Sequence, residues 1–395
     1  MNILVLNAGS SSIKFQLLQL PLEKIVCSGM VERIGGKDAI LSYKTDVTEF
    51  KKETDVTSHK NGLTKIVSLL LDHDKGVITN VNEIHAVGHR VVHGGKLFTD
   101  TTLINEEVKE KIKEFSSLAP LHNPHNLEGI FIAEELFPDA KQIAVFDTAF
   151  HQTMPVKVKK YALPNKFFEQ DDIQIYGFHG TSHKYVSAKA IEYLKQKSSK
   201  IISIHLGNGC SITAIYNGKS VDTSLGFAPS NGLIMGSRSG DIDHAIVFHL
   251  VHKLGYKIED VEKLLTKESG MLGLTGHADL RDIQEKASKG NEKCQLALEM
   301  NAYRIKKYIG AYAAAMNGVD AIIFTAGIGE NSALIRKMAC SDMDFLGIQL
   351  DQDKNDARSN NLREIQNSDS KVKVLVIPTN EELEIASQVY DLVAH

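Results

Sequence analysis

Two arginines sit where a cation is hard to place. Arg90 lies inside the apolar run of residues 87–92, and Arg238 lies in the Gly/Ser turn Met235-Gly-Ser-Arg-Ser-Gly-Asp-Ile-Asp243. A guanidinium in either setting needs an anionic partner: a buried Asp or Glu in one reading, a carboxylate or phosphate ligand in the other. Three turns of small residues each follow a short apolar run: Asn7-Ala-Gly-Ser-Ser-Ser-Ile-Lys14, Gly207-Asn-Gly-Cys-Ser211 and Ala326-Gly-Ile-Gly-Glu-Asn331. Small residues let backbone N–H groups converge on an anion, and in the first turn the hydroxyls and Lys14 add donors and charge. A polar hairpin accounts for any one of these turns alone; three together point to a phosphate-rich ligand. Neither later turn completes GxGxxG, and no Gly-Lys pair has the spacing of a Walker A loop, which disfavours a Rossmann dehydrogenase and a P-loop enzyme.

Asp147 follows the apolar residues 143–146, and His179 lies in Tyr176-Gly-Phe-His-Gly-Thr-Ser-His183; strand ends and loops of this kind are where chemistry tends to be placed. Thr379-Asn-Glu-Glu382 reads as a capping box that occupies Glu382 and leaves Glu381 free in the first helical turn, where the helix dipole also suits an acid. His85, His89 and His93 recur every fourth residue within a predicted strand, where such neighbours lie about 13 Å apart, too far to share a metal ion. With no HExxH, the sixteen histidines read as packed or hydrogen-bonded groups.

Short apolar runs at residues 3–6, 87–92, 143–146, 201–204, 322–324 and 372–377 read as buried strands that carry these residues at their ends. They alternate with helical patterns at 107–115, 182–195, 243–253 and 293–316, the last stopped by Asn317-Gly318, which makes the chain α/β. Residues 45–60 and 351–371 read as surface excursions. The chain has 395 residues, enough for two or three domains, with 43% hydrophobic and 24% charged residues, which excludes wholesale disorder. Balanced charge, 45 basic against 49 acidic residues and no basic block, disfavours a nucleic-acid partner. The longest apolar run, residues 311–316, is far short of the roughly 20 residues of a membrane helix, so no membrane role is expected. Four scattered cysteines without a CxxC pair read as reduced thiols of a cytoplasmic protein.

The halves share a pattern. Leu4-Val-Leu-Asn-Ala-Gly-Ser-Ser-Ser-Ile13 and Ser203-Ile-His-Leu-Gly-Asn-Gly-Cys-Ser-Ile212 each give strand, small polar turn and second strand, suggesting two copies of one fold facing each other across a cleft. Taken in order, the motifs Asn7-Ala-Gly-Ser-Ser-Ser, Gly88-His-Arg-Val-Val-His-Gly-Gly95, His122-Asn-Pro124, Phe146-Asp-Thr-Ala-Phe-His151, Gly177-Phe-His-Gly-Thr-Ser-His183, His205-Leu-Gly-Asn-Gly209, Gly236-Ser-Arg-Ser-Gly-Asp241, Gly327-Ile-Gly-Glu-Asn331 and Pro378-Thr-Asn-Glu-Glu382 resemble the acetate kinase family through nearly the whole chain. The resemblance implies a duplicated actin-like ATPase (ribonuclease H-like) fold, with residues 1–148 plus 381–395 as the acid and metal side and 149–380 as the nucleotide side. It also implies a homodimer.

By the same resemblance, Asn7 and Glu381 form a Mg²⁺ site in which Mn²⁺ substitutes, and Lys14 lies near the phosphates of ATP or ADP. Nucleotide contacts come from His205, Leu206, Gly207, Asn208 and Gly209, from Asp279, Leu280 and Arg281, and from Gly327, Ile328, Gly329, Glu330 and Asn331. Arg90 binds the substrate carboxylate, and Val92, Leu121, Phe178 and Pro229 enclose the acyl methyl group. Asp147, His179 and Arg238 are the catalytic positions, Asp147 as an orienting group and the other two as transition-state stabilisers. The implied reaction is transfer of the γ-phosphoryl group of ATP to acetate, with propionate or butyrate kinase activity and an actin-like ATPase scaffold as rivals. The chain departs from the family at Ser230-Asn231, Ser237 and His244, where Leu-Glu, Thr and Pro are usual.

Overall fold

The apolar residues 3–6 form the centre of β1 (Asn2–Ala8), and the following segments fold back beside it as β2 (Ser12–Gln19), β3 (Lys24–Glu32), β4 (Ala39–Thr45) and β5 (Glu49–Thr54), each antiparallel to the last. On the other side of β1, β6 (Ala86–Val91) lies parallel to it; the short β7 (Thr102–Leu103) closes the far edge against β8 (Lys141–Phe146), itself parallel to β6. The computed structural model describes residues 1–36, 38–196 and 198–394, so residues 37 and 395 of the expected first domain and residue 197 of the expected second lie outside the described residues. The chain divides into two units, Met1–Phe150 with Asn380–His395, and His151–Thr379.

In the first unit β1 and β6 are covered on both faces, which is why β1 reads as a nearly continuous apolar run. Val87 packs with Leu63, Ile66 and Ile132 of helices His59–Leu70 and Asn123–Leu136. The next residue, Gly88, faces the opposite way, toward Ile385 and Val389 of helix Glu381–Ala394, and a Cβ there would come within 2.9 Å of both. Glycine is what lets that helix lie so close to the sheet.

The second unit holds β9 (Lys200–Leu206), β10 (Cys210–Tyr216), β11 (Lys219–Thr223), β12 (Ala321–Thr325), β13 (Arg363–Glu364) and β14 (Lys373–Val376), in the sheet order β11-β10-β9-β12-β14-β13. Its three-strand antiparallel meander and two parallel strands repeat the order β3-β2-β1-β6-β8 of the first unit. This is the duplicated actin-like ATPase architecture.

Three expectations need correction. The strand expected at 87–92 ends at Val91, because the Val92 N–H is taken at 3.1 Å by the Asn126 side chain. Residues 45–60 include β5, whose Lys- and Glu-bearing exposed faces are those of an edge strand. Residues 351–371 are more than a surface excursion: Asn355 and Ile365 are buried, and Asn355 receives the guanidinium of the fully buried Arg336.

Candidate active site

In the first unit the turn after β1 is held from behind. Asn126 Nδ2 donates to the Ala8 carbonyl at 2.7 Å, and His59 Nε2 donates to the Gly9 carbonyl at 2.7 Å. Gly129, whose Cβ would meet that of Ala8 at 2.9 Å, lets helix Asn123–Leu136 come this near. The same helix fixes the segment after β6: Asn126 Oδ1 accepts from the Val92 N–H, and Asn123 accepts from His93 N–H and donates to its carbonyl at 2.9 Å. Arg90, at the end of β6, thus stands on a strand whose exit is pinned.

Around it gather three carboxylates. Arg90 Nη2 donates to Asp147 Oδ2 at 3.0 Å, and its Nε lies 3.8 Å from Glu381 Oε2; Glu382 pairs with Lys14 at 2.5 Å. Asp147, just past β8, is buried. Burial alone would lower the Arg90 pKa, but Asp147, Glu381 and Glu382 beside it raise it. Burial, with Asp147 and Glu382 nearby, pushes the Glu381 carboxyl up to about 7 despite Arg90 and Lys14. Three carboxylates facing two cations leave room for a further positive charge, and an all-oxygen donor set suits a hard ion such as Mg²⁺. Asn7 sits at the end of β1, opposite Lys14 across the hairpin.

In the second unit His179 adopts a left-handed conformation, φ 56°, at the start of helix Gly180–Leu194. For a residue other than glycine that backbone is strained, and the side chain is held by its neighbours. Its Nδ1 is hydrogen-bonded to Ser211 Oγ at 2.9 Å and its ring stacks on His205 at 4.3 Å. An added Cβ on Gly209 would meet Arg238 Nη2 at 3.1 Å and His179 at 3.3 Å, so both side chains converge on this one stretch of backbone. Arg238 Nη1 donates to the Pro229 carbonyl, and burial lowers the guanidinium pKa. Among the described residues no carboxylate pairs with it. Beside this point opens a cavity of about 750 Å³, lined by Leu206, Gly207 and Asn208, by Asp279, Leu280 and Arg281, and by Gly327, Ile328 and Asn331, with Met235 and Met271 among its apolar walls.

The Acetokinase family matches residues 2–387 of the chain. The chain belongs to the acetokinase family. An acetate kinase from Flavobacterium johnsoniae is 60% identical over 392 residues, covering 99% of each chain. Among solved structures, an acetate kinase from Porphyromonas gingivalis matches with a TM-score of 0.94 at 45% identity over 99% of each chain. A propionate kinase from Francisella tularensis matches with a TM-score of 0.92 at 42% identity over 98% of each chain.

In this acetokinase-family chain the expected site residues fall into distinct settings. Leu206–Asn208, Asp279–Arg281, Gly327, Ile328 and Asn331 share the cavity wall, whereas His205, Gly209, Gly329 and Glu330 do not line it. His205 is tied to Ser182 Oγ at 2.8 Å, and Glu330 accepts the Thr379 N–H at 3.1 Å. Asp279 caps helix Leu280–Ser288, and its bonds to Arg281 hold its carboxyl down at about 2. Of the four acyl-pocket residues, Val92 and Phe178 are buried, Pro229 is partly exposed, and Leu121 is 60% exposed.

The capping box at Thr379 is absent. Asn380 accepts the Leu383 N–H at 3.0 Å, while Thr379 spends its N–H on Glu330 and its hydroxyl on Ser182. Glu382 therefore pairs with Lys14, and Glu381 is engaged by Arg90. The divergent loop that follows Ser230-Asn231 is anchored by Asp241, which accepts from the Gly232 N–H at 2.6 Å and from Tyr308 at 2.7 Å. Sequence reasoning missed Asn123 and Asn126 as anchors of the site; His122-Asn-Pro124 was the available signal for the first.

Proposed function

We propose that the chain catalyses reversible transfer of the γ-phosphoryl group of ATP to acetate, giving acetyl phosphate and ADP. Arg238 carries the reading: a half-buried guanidinium beside a nucleotide-sized cavity, with no carboxylate partner among the described residues, calls for an anionic ligand. The nucleotide occupies the cavity of the second unit. The acetate carboxylate pairs with Arg90, which Asp147 holds in place from the buried side.

One oxygen of the carboxylate attacks the γ-phosphorus in line, the bond to the β,γ-bridging oxygen breaks, and its electron pair leaves with ADP. Acetate is already ionised at pH 7, so no strong base is needed, and Asp147 acts as an orienting group. Arg238 and His179 donate to the phosphoryl oxygens as charge develops. Mg²⁺, with Mn²⁺ as a substitute, is the ion Glu381 and Asn7 would hold, and when bound it supplies charge against the phosphoryl oxygens. The helix Ala245–His252 supports a homodimer: it is strongly apolar yet buries none of its residues. Four free, buried thiols accord with a cytoplasmic location.

The test is ADP release with ATP, Mg²⁺ and a panel of C2–C4 acids, with acyl phosphate trapped as its hydroxamate. Acetate should be the best substrate. Propionate should be slower by about 1–3 kcal/mol in kcat/KM, the usual worth of one methylene against an apolar wall such as the buried Val92. Preference for propionate would move the chain to the second activity its structural neighbours bear. ADP release indifferent to every acid would make it an ATPase of another kind.

A further inference from the structure

Behind the turn that follows β1, two histidines and a glutamate converge. His59 opens helix His59–Leu70, and His125 and Glu128 stand three residues apart on one face of helix Asn123–Leu136. One ligand atom from each lies within 4.8 Å of the other two, and among the described residues this is the one group of three potential metal-binding side chains so placed. We propose that His59, His125 and Glu128 bind a divalent transition ion of the zinc class, at a site separate from Asn7 and Glu381.

The donor spacing is that of a coordination polyhedron. Glu128 Oε2 lies 3.5 Å from His59 Nδ1 and 3.7 Å from His125 Nδ1. Ligands bound tetrahedrally to Zn²⁺ at about 2.0–2.1 Å stand about 3.4 Å apart, so little movement closes the set. The second ring nitrogen of His59 fixes the tautomer. Nε2 lies 2.7 Å from the Gly9 carbonyl, which can only accept, so Nε2 carries the hydrogen and, in the neutral ring, Nδ1 is the nitrogen that turns a lone pair toward Glu128. At that distance a nitrogen and a carboxylate oxygen need a proton or a metal ion between them, and the third donor, His125 Nδ1, favours the metal. A ligating histidine that donates its other N–H to a backbone carbonyl is also the arrangement that orients metal-bound imidazoles and raises their basicity.

Two nitrogens and one oxygen favour zinc-like ions over Mg²⁺. The site is open on one side: the His59 side chain is 8% exposed, that of His125 33% and that of Glu128 46%, which leaves a fourth position to water. The ion would join helices His59–Leu70 and Asn123–Leu136 at the back of the turn, where Asn126 already holds Ala8 and His59 holds Gly9. Its occupancy would stiffen the segment that carries Asn7.

The test uses the full chain with its thiols reduced and Mg²⁺ in excess, so that the Asn7 and Glu381 carboxamide and carboxylate are not available to a second ion. Titration with Zn²⁺ should show one saturable site with a higher thermal midpoint. Titration with Co²⁺ should give visible d–d absorption without the near-ultraviolet band of thiolate ligation. His125→Ala and Glu128→Gln change partly exposed side chains and should leave the fold intact; each should weaken Zn²⁺ binding by at least about 10–100-fold, the loss typical even of an outer partner of a metal site. Glu381→Gln should leave the Zn²⁺ affinity unchanged. Absence of saturable binding in the presence of Mg²⁺ would reduce the group to a protonated histidine paired with Glu128. Binding undiminished in both His125→Ala and Glu128→Gln would place the ion elsewhere. Either result overturns the assignment.

Discussion

At the scale of single residues, the two arginines differ in what surrounds them. Arg90 has Asp147 and Glu381 as partners, whereas Arg238 has a backbone carbonyl. Arg238→Ala should therefore lower kcat by roughly 10²–10³-fold with a smaller change in KM for acetate, as for loss of one transition-state donor. Arg90→Ala should also raise KM for the acid; steady-state kinetics that leave both constants near wild type would remove both residues from the site. The need for an anion at each arginine was legible in the sequence, but not its identity, since Asp147 lies 57 residues from Arg90 and only the sheet brings them together. A second residue-scale effect concerns His89. Its Nε2 donates to Gln142 Oε1 at 2.8 Å, and the Gln142 amide is itself oriented by the carbonyls of Phe137 and Ala140. Burial holds His89 and His93 down at about 4, so as pH falls through 6.5 the unfolded chain gains protons that the folded chain refuses. Stability present at neutral pH is then lost progressively between about pH 6.5 and 4, each histidine costing about 1 kcal/mol by pH 5.5. Urea midpoints at pH 7.5 and 5.5 should show the drop, and His89→Gln should shrink it; an unchanged drop would mean other groups govern acid stability.

Elements carry their own prediction through the helix Glu381–Ala394. Its first turn presents Glu381 to Arg90, and Asn380 fixes where that turn begins. Asn380→Ala should cost about 1 kcal/mol of stability, as loss of a cap does, and should lower activity by loosening Glu381. Glu382→Ala removes an ion pair with Lys14, whose side chain is 53% exposed, and should cost about 0.5 kcal/mol or less. Denaturant titration of the two variants decides it: a larger loss in Glu382→Ala would return the cap to the Thr379 register. Thr379 and Asn380 are both good capping residues, so sequence could not choose between them; the demand of Glu330 and Ser182 on Thr379 makes the choice. The strands at the ends of which the chemistry stands were legible because both their faces are buried. The β3–β5 meander was not, since its residues alternate between core and solvent and β5 exposes Lys51 and Lys52. Helix Asn123–Leu136 escaped notice for the opposite reason: polar Asn123 and Asn126 are buried along with Leu127, Ile130 and Ile132, which blurs the apolar stripe.

For the whole molecule, the apolar helix Ala245–His252 predicts association. Phe248 is 58% exposed and Ile246 45%, and Leu254 and Tyr256 continue the patch. Phe248→Asp should turn a sedimenting dimer into a folded monomer, because the side chain contributes no core within its own chain; a wild-type monomer would refute the homodimer. The division of the chain has a further consequence. Unit Met1–Phe150 is completed only by the segment that follows unit His151–Thr379. On a ribosome adding about 5–20 residues per second, the intervening unit takes on the order of ten seconds or more to emerge. During that interval Ile385, Ala386 and Val389 have not yet covered the Gly88 face of the sheet, and Arg90 has Asp147 but not Glu381. The nascent chain thus exposes an apolar sheet face to holdase chaperones while its second unit is already able to fold around a nucleotide. The carboxylate proposed to bind the metal ion follows the whole of the second unit in chain order, so a product stalled before it lacks that ligand.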